Sequence, residues 1–587
     1  MASNTLEEKL FQYFLEAASM YDVLIQGGTL VDGTGDAARK ADVAILGDKI
    51  VKISENIEAQ ATEIIDASDR IVTPGFVDLH THYDGQATWD DEMAPSSIHG
   101  VTTVIMGNCG VGFAPAKPDE HEWLIELMEG VEDIPGSALA EGITWNWESY
   151  PEYLDELERM PRTLDVISHI THGALRGYVM GQRGADNQDA TSKDIAAMAR
   201  FVEEAVEAGA AGFSTNRMPQ HTSIHGVPVP GTFANREEFF GLVGAMKNLD
   251  RGVLQAIPSG AMGEHSDGPR QEIDMYRDVS LDTGVTINFS LAAPHIQPEL
   301  CEETLALVEK ANAEGAKLVP QVQGRPAGLI LGWDTLNPFI ASPTCQQVMA
   351  LQGEERMAAI NNRRTKEKII SELDPAGIPL NLIVPSLNCA FRVGEAFTLE
   401  PDRDHSVLAE AARSGKAPLE LLYDWISNGM VQVLFAGYQE GNLDPMLTWM
   451  RHPETVVGLA DGGAHCSMVI DHSLPSFILQ HWVRDRTRGD RLGLEEAISM
   501  LTMRPASLYN LHDRGVLQVG KKADVNIIDF DKIRLRTPEI ISDLPTGASR
   551  IIQKSDGYDA TLCSGKITFR QGLVTTERPG CLIRDAG

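Results

Sequence analysis

Hydrophobic and polar residues alternate with a period of two at both ends of the chain. The pattern starts at Tyr21 in YDVLIQGGTLVDG and ADVAILGDKIVKI, and it returns in GVLQVGKKADVNIIDFD and IIQKSDGYDATLCSGKITFRQG. Glycine and aspartate separate these segments, as is typical of turns between short strands. The pattern therefore predicts one small β domain formed by residues 21–73 together with residues 501–587.

Between these ends, short apolar strand candidates alternate with helical segments. The eight strand candidates are GFVDLH, VTTVIMG, LDVISHI, AAGFSTN, GVLQAI, GVTINFS, AKLVPQV and TVVGLAD. Segments such as SKDIAAMARFVEEAVEAGA repeat apolar residues at helical spacing. Eight such units predict an α/β fold with a (β/α)8 barrel of the TIM type over residues 74–500. Residues from about 325 to 455 are too many for one crossover, so an inserted subdomain or lid is predicted there.

The first twenty residues predict a separate helical extension. Thr5 and Glu8 have the spacing of a capping box, and apolar residues follow at helical intervals. The apolar face of this helix must pack on the body of the protein or on a second subunit. We therefore expect a homo-oligomer.

Charge and cysteine content narrow the class of protein. The formal net charge of -35 would repel phosphate backbones and anionic membrane surfaces, so neither nucleic acid nor a membrane is an expected partner. Seven cysteines are scattered singly, without a CxxC pair, and no segment reaches the roughly 18 apolar residues of a membrane span. We expect a cytoplasmic protein that acts on a small-molecule substrate.

Residues with metal-binding chemistry occur at the ends of three predicted barrel strands, where such barrels carry their active sites. His80 and His82 end the first strand, and residues i and i+2 of an extended backbone point to the same side. Cys109 follows the second strand between glycines, and Asp461 follows the eighth. Imidazole, thiolate and carboxylate are zinc ligands, and a carboxylate at this place can also accept a proton from water. The alternative for each residue is packing or loop capping.

Further side chains near the strand ends are candidates for binding the substrate. His172, in ISHITHGALR after the third strand, could polarise a carbonyl, and Arg325, after the seventh strand, could clamp a carboxylate through two parallel hydrogen bonds. Tyr83 and His465 lie beside the metal-binding candidates and are assigned to substrate binding. Each of these residues could instead pack a loop.

Together these segments resemble the amidohydrolase superfamily, and most closely its N-acyl-D-amino-acid deacylase (D-aminoacylase) branch. The resemblance covers roughly residues 21–570 and is carried by TPGFVDLHTHYD, HGVTTVIMGNCGVGFAP, SHITHGALRG, GLADGGAH and TMRPASLYNLHDRGVLQVGKKADVNIID. It implies a metal-bearing barrel beside a small β-sandwich. It also implies that His80 and His82 are ligands of the first metal, that Cys109 is the bridging ligand, and that Asp461 is both ligand and base.

The chain departs from this family pattern at the fifth and sixth strands. The family places there the histidines of a second metal site, whereas this chain has Gln255, Ser259, Asn288 and Ser290 near the corresponding positions. Amides and hydroxyls are poor zinc ligands beside imidazole and thiolate. We therefore expect one dependable Zn2+ site and leave the second in doubt, with substitutes open among the nearby histidines, which are His221, His225, His265 and His295.

The leading functional hypothesis is hydrolysis of the amide bond of an N-acyl (D-)amino acid or a related amide by metal-activated water. Asp461 is expected to accept the water proton and pass it to the leaving amine, while the metal or His172 stabilises the oxyanion. One alternative keeps the barrel and the metal but changes the reaction to hydrolysis of a cyclic amide or lactone, decarboxylation or hydration. Another is a catalytically inactive oligomeric scaffold.

Overall fold

The computed structural model describes residues 20–584, except residues 250, 262–267, 293, 295–296, 298, 375–376, 378 and 395–396 and the side chain of residue 382. The predicted N-terminal helix lies outside the described residues. No helix within the described ranges is long and apolar enough to cross a membrane.

Both ends of the chain contribute to one nine-stranded sheet. Antiparallel pairing of Val525–Ile528 with Ile71–Pro74 joins the two ends, and apolar side chains from both pack into one buried cluster. The remaining strands are Tyr21–Leu30, Arg39–Leu46, Lys49–Ser54, Ala61–Asp66, Tyr558–Cys563, Lys566–Arg570 and Leu573–Val574. Two short antiparallel pairs lie nearby, Arg534–Leu535 with Ser555–Asp556 and Glu539–Ile541 with Arg550–Ile552. The domain boundaries drawn from the sequence stay a prediction.

Eight parallel strands form the barrel, and all eight strand candidates from the sequence are present. In chain order, the barrel strands are Phe76–Asp78, Val101–Met106, Asp165–Ser168 with its continuation Ile170–Thr171, Gly212–Asn216, Val253–Ile257, Thr286–Ser290, Leu318–Gln323 and Val456–Gly458. The two parts of the third strand pair with the second and fourth strands. A parallel bridge between Thr81 and Gly462 joins the ends of the first and eighth strands. The predicted (β/α)8 barrel is confirmed.

Helices follow the barrel strands and cover the outside of the barrel. Helix Ser192–Glu207 begins with a capping box, in which the Thr191 side chain accepts from the Asp194 amide and the Asp194 side chain accepts from the Thr191 amide. The apolar residues at helical spacing in this helix are buried. The other helices of this layer are His121–Glu132, Gly136–Gly142, Tyr150–Arg159, His172–Met180, Gln182–Ala185, Arg236–Gly244, Gly268–Thr283, Leu300–Ala313, Leu474–Phe477, Ile478–Asp485, Leu494–Leu501 and Met503–Leu508.

The segment between the seventh and eighth barrel strands contains a small sheet of its own. Ala327–Leu331 and Ala390–Arg392 pair antiparallel with Val431–Ala436 on its two sides. The helices in this segment are Pro343–Met349, Gly353–Ile360, Arg363–Ser371, Leu380–Ile383, Val407–Ser414, Pro418–Ile426 and Asp444–Arg451. Short 3-10 turns complete the fold at Gln86–Thr88, Ser96–His99, Val384–Cys389, Arg403–His405, Asp471–Ser473 and Pro545–Gly547.

A row of polar side chains crosses the middle strands of the barrel. The parallel registers align Thr171, Ser214, Gln255 and Asn288 on the third to sixth strands, and all four are buried. Laterally aligned residues of parallel strands point to the same face of a sheet. Because amides and hydroxyls replace branched apolar side chains here, this layer of the barrel can form hydrogen bonds to the residues above it.

Candidate metal centre

Two imidazoles, a thiol and a carboxylate meet at the end of the first barrel strand. His80 Nε2 lies 3.2 Å from Cys109 Sγ and 3.3 Å from Asp461 Oδ1. His82 Nε2 lies 3.7 Å from each of the same two atoms. The histidines and Cys109 are buried, and the carboxylate side chain of Asp461 is 23 % exposed. The structure therefore brings together the four residues that the sequence assigned to metal binding.

The donor atoms have the spacing of a metal coordination shell. One ligand atom each from His80, His82 and Cys109 lie within 4.8 Å of one another. Zinc-to-nitrogen and zinc-to-sulfur bonds of about 2.0 to 2.3 Å give tetrahedral edges of about 3.3 to 3.6 Å, close to the observed separations. Two imidazoles, one thiolate and a nearby carboxylate are a donor set that zinc prefers. These residues fit one zinc ion.

Neighbouring strands fix the backbone that carries the two histidines. The amide of Thr81 donates to Ile105 O of the second strand, and the amide of His82 donates to Gly462 O after the eighth. The amide of Asp461 donates in return to His80 O at 3.1 Å. The ends of the first and eighth strands are therefore held together by main-chain hydrogen bonds, which bring Asp461 to the histidines.

Three non-glycine residues at this centre have left-handed backbone conformations. The φ angles are 58° at Cys109, 50° at Asp461 and 50° at His465. The strained turn at Cys109 is held by its amide, which donates to Gln255 Oε1 at 2.9 Å, and by the next amide, Gly110, which donates to Ser214 Oγ at 3.2 Å. Non-glycine residues persist in this region only where the surrounding structure determines them, and they concentrate at functional sites.

Hydrogen bonds beneath the centre set the tautomer of His80. His80 Nδ1 lies 3.0 Å from Gln321 Oε1, and Gln321 Nε2 donates to Asn288 Oδ1. Asn288 Nδ2 donates in turn to Val319 O at 2.7 Å. Because the oxygen of Gln321 can only accept, His80 Nδ1 carries the proton. His80 Nε2 then has a free lone pair for a metal ion held between it and the other donor atoms. Gln321 was not identified from the sequence, although its place as a polar residue within LVPQVQG was a usable signal.

The buried carboxylate of Glu132 faces His82, the second histidine of the centre. Glu132 Oε1 lies 3.4 Å from His82 Nδ1, and Glu132 is 1 % exposed. Glu132 could not be identified from the sequence, because it ends a helix after the second strand and belongs to no recognisable motif. Only the fold brings it next to His82.

The local electrostatics shift the pKa values of His80 and His82 in opposite directions. Burial lowers the pKa of His80 to about 4. Burial also lowers the pKa of His82, but Glu132 and Asp461 outweigh this effect and raise it to about 9. For Asp461, burial acts to raise the pKa, while His82 and His80 lower it below its usual range. Burial raises the pKa of the Cys109 thiol, whereas a divalent cation at this place would favour the thiolate.

Three residues that the sequence assigned to catalysis or substrate binding have other roles. His172 is buried with both ring nitrogens engaged, Nδ1 at 2.8 Å from Thr215 Oγ1 and Nε2 at 3.0 Å from Glu238 Oε1. Glu238 also accepts from Arg176, so His172 belongs to an internal ionic cluster. This corrects the expectation that His172 stabilises an oxyanion, because neither of its ring nitrogens is free to donate to a substrate.

Arg325 is also a structural residue. Its guanidinium is buried, with Nε 3.2 Å from Asp471 Oδ1 and Nη1 donating to Ile470 O and Gln553 Oε1. This corrects the expectation of a substrate clamp, because the bidentate fork is directed into the protein.

Tyr83 supports the loop that follows the eighth strand. Its hydroxyl donates to Ser96 Oγ and accepts from Ser96 N, each at 2.9 Å, and the side chain is fully buried. A Cβ at Gly462 or Gly463 would come within 3.0 Å of the ring or hydroxyl of Tyr83. This corrects the assignment of Tyr83 to substrate binding and explains why glycines are needed opposite it.

Two further histidines lie beside the centre. His465 Nε2 is 3.6 Å from Glu132 Oε2, and its side chain is 22 % exposed. Burial lowers the pKa of His221 to about 3, the charges of His465, His82 and His80 add to this effect, and Asp461 acts against it. His225 is an exposed residue 3.3 Å from Glu126, and residues 265 and 295 lie outside the described ranges. His465 and His221 are therefore the described histidines that extend the site beyond the four donors.

Asn216 sets the tautomer of His221. Asn216 Oδ1 accepts from the amide of Met218 at 2.7 Å, which leaves Asn216 Nδ2 to donate to His221 Nδ1 at 2.6 Å. A neutral His221 ring then carries its proton on Nε2. In this tautomer His221 is a hydrogen-bond donor rather than a metal ligand through Nε2.

The fold is an α/β barrel, and the residues at the end of its first strand fit a metal ion. The sequence model of the amidohydrolase family matches residues 63–339 and 399–569, which is more than half of the chain. The protein belongs to the amidohydrolase family.

Similarity extends to characterised relatives. The chain is 29% identical to D-aminoacylase of Alcaligenes xylosoxydans xylosoxydans over 371 residues, 61% of this chain and 69% of that protein. It is 26% identical to N-acyl-D-aspartate deacylase of the same organism, over 97% of this chain and 96% of that protein. The structure of N-acyl-D-glutamate deacylase from Bordetella bronchiseptica, solved with zinc and a phosphonate inhibitor, matches with a TM-score of 0.64 at 23% identity over 96% of this chain and 100% of that chain. The two sequence relatives support the D-aminoacylase branch of the family, and the solved structure supports the barrel fold.

Proposed function

We propose that the protein is a zinc-dependent hydrolase that cleaves the amide bond of N-acyl amino acids, with the D-configured substrates of its relatives as the first class to test. The observation that carries the proposal is the convergence of His80, His82 and Cys109 with Asp461 at the barrel end. The similarity to an N-acyl-D-aspartate deacylase over nearly the whole of both chains supports this substrate class.

In this proposal His80, His82 and Cys109 hold one zinc ion, with Asp461 completing the ligand set. Zinc in such a site acts as a Lewis acid and makes water a competent nucleophile near neutral pH. The side-chain amides of the fifth and sixth strands support one zinc ion rather than two. The amide oxygens of Gln255 and Asn288 already accept hydrogen bonds, from the Cys109 amide and from Gln321 Nε2. A second strong ligand set is not formed by the described residues of the fifth and sixth strands.

Asp461 is proposed to move the proton. Its carboxylate is held ionised by the neighbouring histidines, and its side chain is the most exposed of the four donor residues. It accepts a proton as water adds to the amide carbon, and it returns that proton to the nitrogen as the carbon–nitrogen bond breaks. The products are a carboxylic acid and an amine, which are present at neutral pH as a carboxylate and an ammonium group.

His221 and His465 are proposed to orient the substrate. His221 offers an Nε2–H donor because Asn216 occupies its Nδ1. His465 is tied to Glu132 on one side and is partly exposed on the other. Two imidazoles beside the centre can hydrogen-bond to the acyl oxygen or to the substrate carboxylate, the roles that the sequence had given to His172 and Arg325.

Zinc titration combined with a substrate panel tests the proposal. Metal-free protein is reconstituted with zinc and assayed on N-acyl-D-amino acids, N-acyl-L-amino acids, cyclic imides and lactones. We expect one zinc per chain, release of free amine from an N-acyl-D-amino acid, and loss of turnover in His80→Ala. Turnover of a lactone or cyclic imide alone would favour the alternative reaction, and a chain that binds no zinc in stoichiometric amount would overturn the metal centre.

We also propose a cytoplasmic location and a homo-oligomeric state. All seven cysteines are unpaired, which supports a reducing compartment. The apolar face predicted for residues 1–20 supports self-association, and size-exclusion chromatography with light scattering, comparing the full chain with a chain that lacks these residues, tests it.

A further inference from the structure

Glu132 lies between two imidazoles that belong to different parts of the barrel. Its Oε1 is 3.4 Å from His82 Nδ1, and its Oε2 is 3.6 Å from His465 Nε2. His82 Nδ1 and Glu132 Oε1 are both buried, and neither has a hydrogen-bond partner among the described residues. Because a buried unpaired carboxylate is costly, these two atoms are each other's natural partners.

The backbone beside Glu132 also holds the loop that carries Asp461. The amide of His465 donates to Glu132 O, and the amide of Cys466 donates to Asp133 O at 3.1 Å. Ser467 donates to Asp133 Oδ2 through both its amide and its hydroxyl, each at 2.7 Å. The end of helix His121–Glu132 is thus joined to the loop after the eighth strand through the backbone as well as through the side chain.

The same helix end packs closely against the loop after the fourth strand. A Cβ placed on Gly130 would come within 2.3 Å of the backbone of Ser223 and Ile224. Only glycine permits this approach, and the contacted loop is the one that carries His221. Contacts with the loops after the eighth and fourth strands therefore fix the position of the helix end that carries Glu132.

We infer that Glu132 is a positioning residue that couples the metal centre to the substrate-facing His465. By accepting the Nδ1 proton of His82, the carboxylate leaves the Nε2 lone pair for the metal and makes the ring a stronger donor. By holding His465 Nε2, it turns the rest of that ring toward the opening of the site. The effect of Glu132 on the metal centre rests on the proposed metal site alone, whereas its effect through His465 rests also on the proposed function.

The charge of Glu132 can be separated from its shape. Glu132→Gln keeps an oxygen that can accept from His82 Nδ1 but removes the negative charge, whereas Glu132→Ala removes both. Glu122→Gln is the matched control, because Glu122 is exposed on the first turn of the same helix. The full-length protein is used throughout, and the thermal unfolding of each metal-free variant shows whether it folds.

Zinc affinity is measured by competition with a chelator of known affinity, and the visible spectrum is recorded after substitution with Co(II). We expect Glu132→Gln to weaken zinc binding by about 10- to 100-fold and to shift the Co(II) absorption, as is usual when the outer partner of a ligating histidine is lost. Glu122→Gln should match the wild type. Equal zinc affinity and equal spectra in Glu132→Gln and wild type would overturn the role of Glu132. A wild-type chain without zinc affinity would overturn the metal centre together with it.

A double-mutant cycle tests the second half of the inference. His465→Ala is expected to raise KM while leaving zinc affinity unchanged, because His465 is not one of the four donor residues. If Glu132 acts through His465, Glu132→Gln changes KM less in the His465→Ala background than in the wild type. Additive effects on KM would show that Glu132 acts on the metal alone and would refute the coupling.

Discussion

Asp461 Oδ1 lies 3.3 Å from His80 Nε2. This contact joins the end of the eighth barrel strand to the end of the first, and a main-chain hydrogen bond from Asp461 to His80 O accompanies it. The carboxylate that is proposed to move the proton is therefore fixed to the same backbone segment that carries the two candidate metal-binding histidines.

Asp461→Asn should separate proton transfer from metal binding. We expect kcat to fall by about 10²- to 10⁴-fold, because an amide cannot accept the proton of water. Zinc should still bind through His80, His82 and Cys109. The measurement is kcat together with zinc content on the same preparation, and Asp404→Asn, an exposed change in the inserted segment, is the control. Full activity with bound zinc in Asp461→Asn would contradict the assignment.

Gln321→Leu should weaken metal binding without removing a ligand. The change removes the acceptor for His80 Nδ1 and leaves Asn288 Oδ1 without its donor. We expect zinc affinity to fall by about tenfold or more, and unfolding of the metal-free protein to become easier by about 1 to 3 kcal/mol because a buried polar atom loses its partner. Chelator competition and denaturant unfolding measure the two effects. Unchanged zinc affinity would show that His80 does not depend on Gln321.

His221→Phe distinguishes a hydrogen-bond donor from a metal ligand. Because Asn216 donates to His221 Nδ1, the ring presents an N–H at Nε2. We expect lower kcat/KM with unchanged zinc affinity. The matched change is His225→Phe, which alters an exposed histidine of the same loop and should leave activity intact. A fall in zinc affinity in His221→Phe would instead identify His221 as a ligand.

Stability should decrease in acid through Glu400, which links the inserted segment to helix Ile478–Asp485. Burial acts to raise the pKa of Glu400, but hydrogen bonds from His481 and Arg486 outweigh it and lower the pKa to about 2. A lowered pKa in the folded state contributes stability that is complete above the ordinary pKa of 4.5 and is lost as the pH falls toward 2.

We therefore expect Glu400→Gln to be less stable than the wild type at neutral pH, by about 1 to 3 kcal/mol, and to lose less stability between pH 4.5 and pH 2. The melting temperature across this range measures both effects. Glu355→Gln, an exposed change in the same inserted segment, is the comparison. Parallel curves for Glu400→Gln and wild type would show that Glu400 does not contribute to the acid transition.

The sequence determined the order of the barrel strands and the first pair of candidate ligands. Apolar runs separated by helical segments identified all eight barrel strands, because strand and helix periodicities are local properties of the chain. His80 and His82 were identifiable for the same reason, since residues i and i+2 of an extended segment point to one side. The period-two alternation also predicted the two β segments at the ends of the chain, and the structure pairs them in one sheet.

The tertiary structure alone decided how the other polar residues are used. His172 and Arg325 follow barrel strands as expected, but Glu238 and Asp471 from distant segments engage them inside the protein. Glu132 ends a helix after the second strand and Gln321 lies on the seventh, so they become partners of His82 and His80 only when the barrel closes. Local periodicity fixes the direction in which a side chain points. Its hydrogen-bond partner comes from a segment that is remote in sequence, so only the folded chain decides which partner it meets.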